Sequence, residues 1–271
     1  MIRLIVTDID GTLVKDGSGP GSLNTEYFEV ISKLMDKGII FVAASGRQYT
    51  SIRRLFRPVS DRIHYATEGG SVVFYQGKML YSNPLAQCEI DEALNDIERL
   101  SDCDVIACGK ETAYVRKEDS PLYRFMKDEY KYEIEAIGSL RRAWENEIVK
   151  ISIFHEGGQV EERTKGWFLD KWNQRLQVSL AGLQWLDLVP NDASKGVAVE
   201  FLQKQYDISS QETMVFGDNC NDIPMFGKAH YSYAVRNARL DVKDQARYVC
   251  GSYEEDGVLA ILKEVLENGE F

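Results

Sequence analysis

Histidine is scarce in this chain, with three in 271 residues (His64, His155 and His230), and the five cysteines (Cys88, Cys103, Cys108, Cys220 and Cys250) contain no C-x-x-C pair. A Cys/His zinc site has few ligands to draw on and none at the usual spacing. An odd set of cysteines forms no even disulfide framework, which points to reduced thiols and a cytoplasmic setting. Positive charge is short too: 32 basic residues against 43 acidic ones leave a net charge of −11, with a pI near 4.9. A general affinity for nucleic acid or an anionic membrane is therefore not expected. No apolar run approaches the ~20 residues that cross a bilayer, and the opening MIRLIVTDID meets charged residues before a secretory apolar region could form. Internal repeats and low-complexity tracts are missing as well.

What remains is an ordinary globular composition, 44% hydrophobic, 28% charged and 11% aromatic. At ~150 residues per domain the length suits one large domain or two modest ones. A chain of this size buries roughly three quarters of its unfolded surface and needs no staple for stability.

Residues 2–7 (IRLIVT) read as a buried parallel strand that ends in acidic residues and Gly11. LNTEYFEVISKLMDKG follows, with Asn24 as N-cap, Tyr27, Phe28, Ile31, Leu34 and Met35 at helical spacing, and Gly38 as a stop. A second strand over 39–44 and a helix over 48–56 complete a strand–helix–strand–helix run, the signature of a right-handed parallel α/β sheet. From His64 the pattern becomes a strand and a hairpin turning at Gln76-Gly77, and Asn83-Pro84 punctuates. Beyond it the sequence predicts helices near 90–101, 121–130 and 160–173 and strands at 104–108, 112–116, 148–154, 177–181 and 184–188. Strands without intervening helices point to a largely antiparallel sheet with helices on one side. After Pro190 the α/β alternation resumes: helix 195–206, strand 213–216, helix 222–227, strand 231–235 and helix 256–267. The predicted fold class is α/β, a Rossmann-like parallel-sheet core (1–83 and 189–271) interrupted by an inserted α+β domain (84–188).

Chemistry concentrates at predicted strand ends. Asp8-Ile9-Asp10-Gly11-Thr12-Leu13 follows the first strand, where open parallel sheets place their ligand crevice. Asp8 and Asp10, at i and i+2 of an extended segment, face one way and can share a cation. Taken alone, D-x-D-G fits a strand-end turn equally well. Ser45-Gly46 offers a hydroxyl and backbone N–H groups at a helix start, a cradle for an anion. Lys195 opens another helix, although a single lysine is more often solvated surface. Gly217-Asp218-Asn219-Cys220-Asn221-Asp222 puts two more carboxylates at the same sheet edge, unless it is only an Asn/Asp-rich turn.

In this order, D-x-D-G-T, a hydroxyl residue followed by Gly, Lys, and G-D-x-x-N-D resemble the four motifs of the haloacid dehalogenase (HAD) superfamily. The insert between the second and third motifs, with P-x-x-x-S-K-G at its exit, resembles the Cof-type subgroup with a type IIB cap. The resemblance implies a Mg²⁺-dependent phosphatase of small phosphorylated metabolites, sugar phosphates or related phosphomonoesters. Asp8 is then the nucleophile forming an aspartyl-phosphate, and Asp10 the general acid and base. The Asp8 carboxylate, the Asp10 carbonyl and the Asp218 carboxylate hold the metal. Ser45, the Ile9 and Gly46 N–H groups, Lys195 and Asn221 meet the phosphate, and Asp222 orients the metal shell or Lys195 from behind.

Ser45 stands where Thr is commoner in the subgroup, and Glu68-Gly69-Gly70 where Glu-Asn-Gly is frequent, so a contact made by that Asn is not expected here. Arg47 is typical of the subgroup, with a structural or hinge role as open as substrate contact. The cap is expected to close over the crevice and select the leaving group, with Asp187 a candidate for touching substrate. Tyr114, Tyr123, Trp144 and Trp185 are read as packing residues, Arg141-Arg142 as a solvated helix face, and His155 and His230 as ordinary residues. A phosphomutase or phosphotransferase would share every motif and differ in its acceptor. A non-catalytic phosphate-binding protein would not need every acid, the lysine and the amide in place.

Overall fold

Leu4–Thr7 (β1) is buried at all four positions and runs through the middle of an eight-stranded sheet. The computed structural model describes residues 1–181 and 183–268; the side chains of Trp144, Glu145 and Asn268, and with them the reading of Trp144 as a packing residue, lie outside the described residues. The chain forms two compact units, Met1–Tyr81 with Ser194–Phe271, and Ser82–Ala193.

In the first unit, β1 leads to α1 (Glu26–Asp36), β2 (Ile40–Ala44), α2 (Tyr49–Leu55), β3 (His64–Thr67), β4 (Val72–Tyr75) and β5 (Lys78–Ser82). Tyr27, Val30, Ile31 and Leu34 form the buried stripe of α1. The N-cap position falls on Thr25 rather than Asn24, and Asn24 just ahead of it accepts the Glu26 N–H at 3.0 Å. Gln76 and Gly77, both at positive φ, make the two-residue turn that matches the twist of a hairpin between β4 and β5.

The second unit contains α3 (Gln87–Ile97), β6 (Asp104–Cys108), β7 (Ala113–Val115), α4 (Pro121–Asp128), β8 (Ile134–Ala136), β9 (Lys150–Phe154), α5 (Val160–Thr164), α6 (Trp167–Trp172), β10 (Gln177–Leu180) and β11 (Trp185–Val189). Its sheet runs β10-β11-β9-β6-β7-β8, antiparallel except for the parallel β7–β8 pair. Three expectations need correction. The helix predicted over 160–173 is two helices, because Gly166 at φ +84 breaks the turn. β8 was not anticipated, since three residues are too few for alternation to register. Helices also pack on both sheet faces rather than one. Val105 and Ala107 point into a cluster with Ile90, Leu94, Phe168 and Trp172, and Ile106 and Cys108 into another with Leu122 and Met126 of α4. Consecutive apolar residues leave neither face fit for water.

The chain returns through α7 (Lys195–Tyr206), β12 (Thr213–Gly217), α8 (Ile223–Phe226), β13 (Tyr231–Val235), α9 (Leu240–Lys243), β14 (Tyr248–Cys250) and α10 (Gly257–Asn268). The short elements α9 and β14 were not anticipated either. The sheet order is β14-β13-β12-β1-β2-β3-β4-β5, parallel from β14 to β3, with β4 antiparallel to β3. Strand order reverses beside β1, so the carboxyl ends of β12, β1 and β2 bound the switch-point crevice where open sheets bind ligands.

Candidate active site

Asp8 leaves β1 with its N–H bonded to the Phe216 carbonyl at 2.9 Å, and the residue is 4% exposed. The chain then turns sharply, the Ile9 carbonyl accepting from Thr12 N (3.3 Å) and Leu13 N (2.9 Å). Gly11 is required twice over. Its φ is +79, and a Cβ there would stand 2.4 Å from Asp218 Oδ2. Thr12 Oγ1 donates to Asp218 Oδ1 at 3.3 Å, a contact the sequence reading did not assign although Thr12 belongs to the motif.

Lys195 begins α7 behind Ser194, whose hydroxyl accepts the Val197 N–H at 3.2 Å. That helix start presses on Gly70, where a Cβ would lie 2.3 Å from the Ser194 carbonyl oxygen and 2.7 Å from Lys195 N. Gly70 is thus a positioning residue that sequence reasoning missed; its only signal was the Gly-Gly pair. Lys195 Nζ, 1% exposed, donates to Asp8 Oδ1 at 2.5 Å and to Asp222 Oδ1 at 2.6 Å. The other Asp222 oxygen accepts from Asp218 N (2.9 Å) and Asn219 N (3.0 Å). Asp222 therefore holds the lysine and ties down its own loop.

Asp10 points to a different partner. Its carboxylate takes both Arg47 Nε, at 2.7 Å, and Arg47 Nη2. Ser45 is buried, and its Oγ accepts the Arg47 N–H at 3.1 Å. Gly46 has open space where a Cβ would stand. Asn221 is exposed on the turn Cys220–Asp222. Asp187 lies in the second unit, accepting from Ser152 Oγ at 2.6 Å with Lys150 Nζ 4.0 Å away. Tyr114, Tyr123 and Trp185 join the apolar clusters of that unit. His155 Nδ1 accepts the Gln159 N–H at 3.2 Å, and His230 meets Tyr231 edge to face. Arg141 and Arg142 are exposed on a 3₁₀ turn.

A family model of the haloacid dehalogenase-like hydrolases matches residues 5–262. The chain belongs to that family. A relative of this haloacid dehalogenase-like hydrolase, the 5-amino-6-(5-phospho-D-ribitylamino)uracil phosphatase YbjI of Escherichia coli (strain K12), is 28% identical, with 98% of this chain and 97% of the relative covered. Phosphoglycolate phosphatase 1 of Saccharolobus solfataricus is 22% identical over 100% and 98% of the two chains. A crystal structure of a Eubacterium rectale protein superposes with a TM-score of 0.88 at 37% identity, covering 97% of this chain and 98% of that one. The fold is also that of the HAD subclass IIB sugar phosphatase BT4131, at TM-score 0.81 and 23% identity over 97% and 98% of the chains. Among the described residues of this hydrolase no helix is long and apolar enough to cross a membrane.

Electrostatics of the hydrolase site favour a cation. Asp8, Asp218 and Asp222 each bring a carboxylate oxygen within 4.8 Å of the others, against the single ammonium of Lys195. Burial works to strip the proton from Lys195, but the Asp222 and Asp8 carboxylates overcome it and hold the ammonium charged. Burial pushes the Asp8 carboxyl well above the usual range against the pull of Lys195, and the neighbouring Asp222, Asp218 and Asp10 push the same way. Asp8 Oδ2 is buried without a hydrogen-bond partner. An orphaned, hard oxygen next to further carboxylates fits a divalent metal ion, in keeping with the family's general use of one. Both Asp222 oxygens are engaged, so Asp8 and Asp218 are the carboxylates that would hold it.

Asp218 sets a pH dependence. Burial first, then Asp222, pushes its carboxyl up to about 7. Below that pH the group carries a proton that a metal held there would have to displace, so the affinity of such an ion would fall as pH drops and its binding would release protons. Calorimetric titration should find Mg²⁺ bound about tenfold more weakly near pH 6 than near pH 8. Equal affinity at both would mean that the ion displaces no proton from Asp218 in this range.

Proposed function

We propose that the protein is a Mg²⁺-dependent phosphatase of small phosphorylated metabolites, sugar phosphates or related phosphomonoesters, working through an aspartyl-phosphate on Asp8. The observation that carries this reading is the Asp8 carboxylate, with one oxygen held by Lys195 and the other unpartnered, beside Asp218. Relatives named phosphatases, YbjI and phosphoglycolate phosphatase 1, support it. A cytoplasmic setting accords with five free cysteines.

An Asp8 oxygen forms a bond to phosphorus as the ester P–O bond breaks, and the departing alcohol takes a proton from Asp10. Water then gives a proton to Asp10 and attacks the same phosphorus, freeing phosphate and Asp8. Lys195 sets a positive charge beside the nucleophile, where the phosphate dianion would otherwise meet only carboxylates. The Ser45 hydroxyl, the Ile9 and Gly46 N–H groups and the Asn221 amide, with Lys195, orient the phosphate oxygens in this reading. The Asp8 and Asp218 carboxylates and the Asp10 carbonyl would hold Mg²⁺, and Asp222 keeps Lys195 aimed at Asp8. When bound, the ion supplies the positive charge that phosphoryl transfer between anions requires. Choice of leaving group is assigned to the second unit, Asp187 included.

A phosphate-release screen over a panel of phosphorylated metabolites, run with Mg²⁺ and repeated with EDTA, tests the proposal. Stoichiometric free phosphate without an added acceptor, lost in EDTA and restored by Mg²⁺, is the expected outcome. Turnover that depends on an added acceptor would replace hydrolysis by phosphoryl transfer, and activity unmoved by EDTA would remove the metal.

A further inference from the structure

We infer that Arg47 is the positioning residue of the Asp10 carboxyl, acting on the reaction through Asp10 rather than by touching the phosphate. The inference rests on the phosphatase reading above, in which Asp10 passes a proton to the leaving alcohol. Arg47 is 5% exposed, at the end of the segment that follows β2. Its backbone is locked in place: the N–H donates to Ser45 Oγ at 3.1 Å, and the carbonyl accepts from Glu68 N at 3.2 Å. From this anchor the guanidinium reaches across 37 residues of sequence to grip both Asp10 oxygens, Nε to Oδ2 and Nη2 to Oδ1. Nη1 donates to the Ser18 carbonyl at 2.7 Å, and Gly17 N adds a 3.2 Å bond to Asp10 Oδ1. A two-pronged fork fixes the plane of a carboxylate as well as its position, which a point charge does not do. The Asp10 side chain keeps 22% of its surface exposed, so the fork orients a group that remains reachable.

Proton donation matters most when the departing oxygen is a poor leaving group. An alkoxide needs the proton during P–O cleavage, whereas a nitrophenolate leaves unaided. A residue that works through Asp10 must show that selectivity, and one that binds phosphate must not. The experiment compares kcat/KM, which reports cleavage of the ester bond, for an alkyl phosphate and p-nitrophenyl phosphate. Arg47→Lys keeps the charge and removes the fork. It should lose about 10²-fold on the alkyl ester and less than about threefold on the aryl ester. In an Asp10→Ala background the same change should add less than about twofold to either, because nothing remains to position. Arg47→Gln serves as second variant if thermal melting shows Arg47→Lys to be unfolded. An equal loss on both esters, a full additional loss in Asp10→Ala, or no loss at all overturns the inference and leaves the phosphatase reading intact. A wild-type protein that releases phosphate from neither ester overturns that reading and the inference with it.

Discussion

Replacing Asp8 with Asn is expected to reduce phosphate release to background while the protein folds as before. Asn is nearly the same size, and its carbonyl oxygen can still accept the hydrogen bond that Lys195 now gives Asp8 Oδ1. What disappears is the anionic oxygen that attacks phosphorus, and neither Asp222 nor Asp10 can stand in for it. Asp222 has both oxygens committed, and Asp10 is clasped by Arg47. Stability should move the other way. Burial and three neighbouring carboxylates press against the charge on Asp8, so removing it relieves repulsion that the metal-free protein otherwise bears. Thermal melting in EDTA should therefore give a Tm no lower than that of the wild type. Residual turnover well above background would show that the nucleophile lies elsewhere.

The parts of the site that the sequence displays are those whose chemistry is local. Asp8, Ser45 and Asp218 are legible because each directly follows a short apolar run that reads as a buried strand, with Asp10 two residues after Asp8, and adjacent parallel strands bring such ends together. Lys195 is legible as a helix start behind a capping serine. Contacts that depend on how loops from distant segments meet are not. Nothing in the spacing of Asp10 and Arg47 announces their fork, and nothing marks Asn237, whose Nδ2 donates to the Gly11 carbonyl at 2.7 Å and braces the turn after β1. Arg239 N likewise reaches the Asp218 carbonyl at 3.3 Å. In the fold, periodicity located the longer elements but not β8, α9 or β14, which are too short to carry it. The prediction of one covered face on the second sheet failed because Val105 to Cys108 are apolar without alternation, a pattern that signals burial on both sides.

Lys195→Met should strongly destabilise the first unit and should abolish activity as well. A methionine fills much of the space that the lysine stem occupies, so packing is largely kept and the loss is one of charge. Removing the ammonium strands Asp8 and Asp222, the latter 0% exposed, as buried carboxylates without their cation. Breaking a buried pair in this way costs about 3–5 kcal/mol. The pH dependence identifies the cause. Without Lys195 the Asp8 carboxyl, already pushed up by burial, is raised still further above its unfolded value. The folded state then binds more protons than the unfolded one across the interval between the folded and unfolded values of that group, and stability falls as pH rises through it. Chemical denaturation should accordingly find the deficit against wild type wide near pH 8 and narrower near pH 5. A deficit of the same size at both would point to lost packing, and no deficit would mean that the lysine is not what neutralises the two acids.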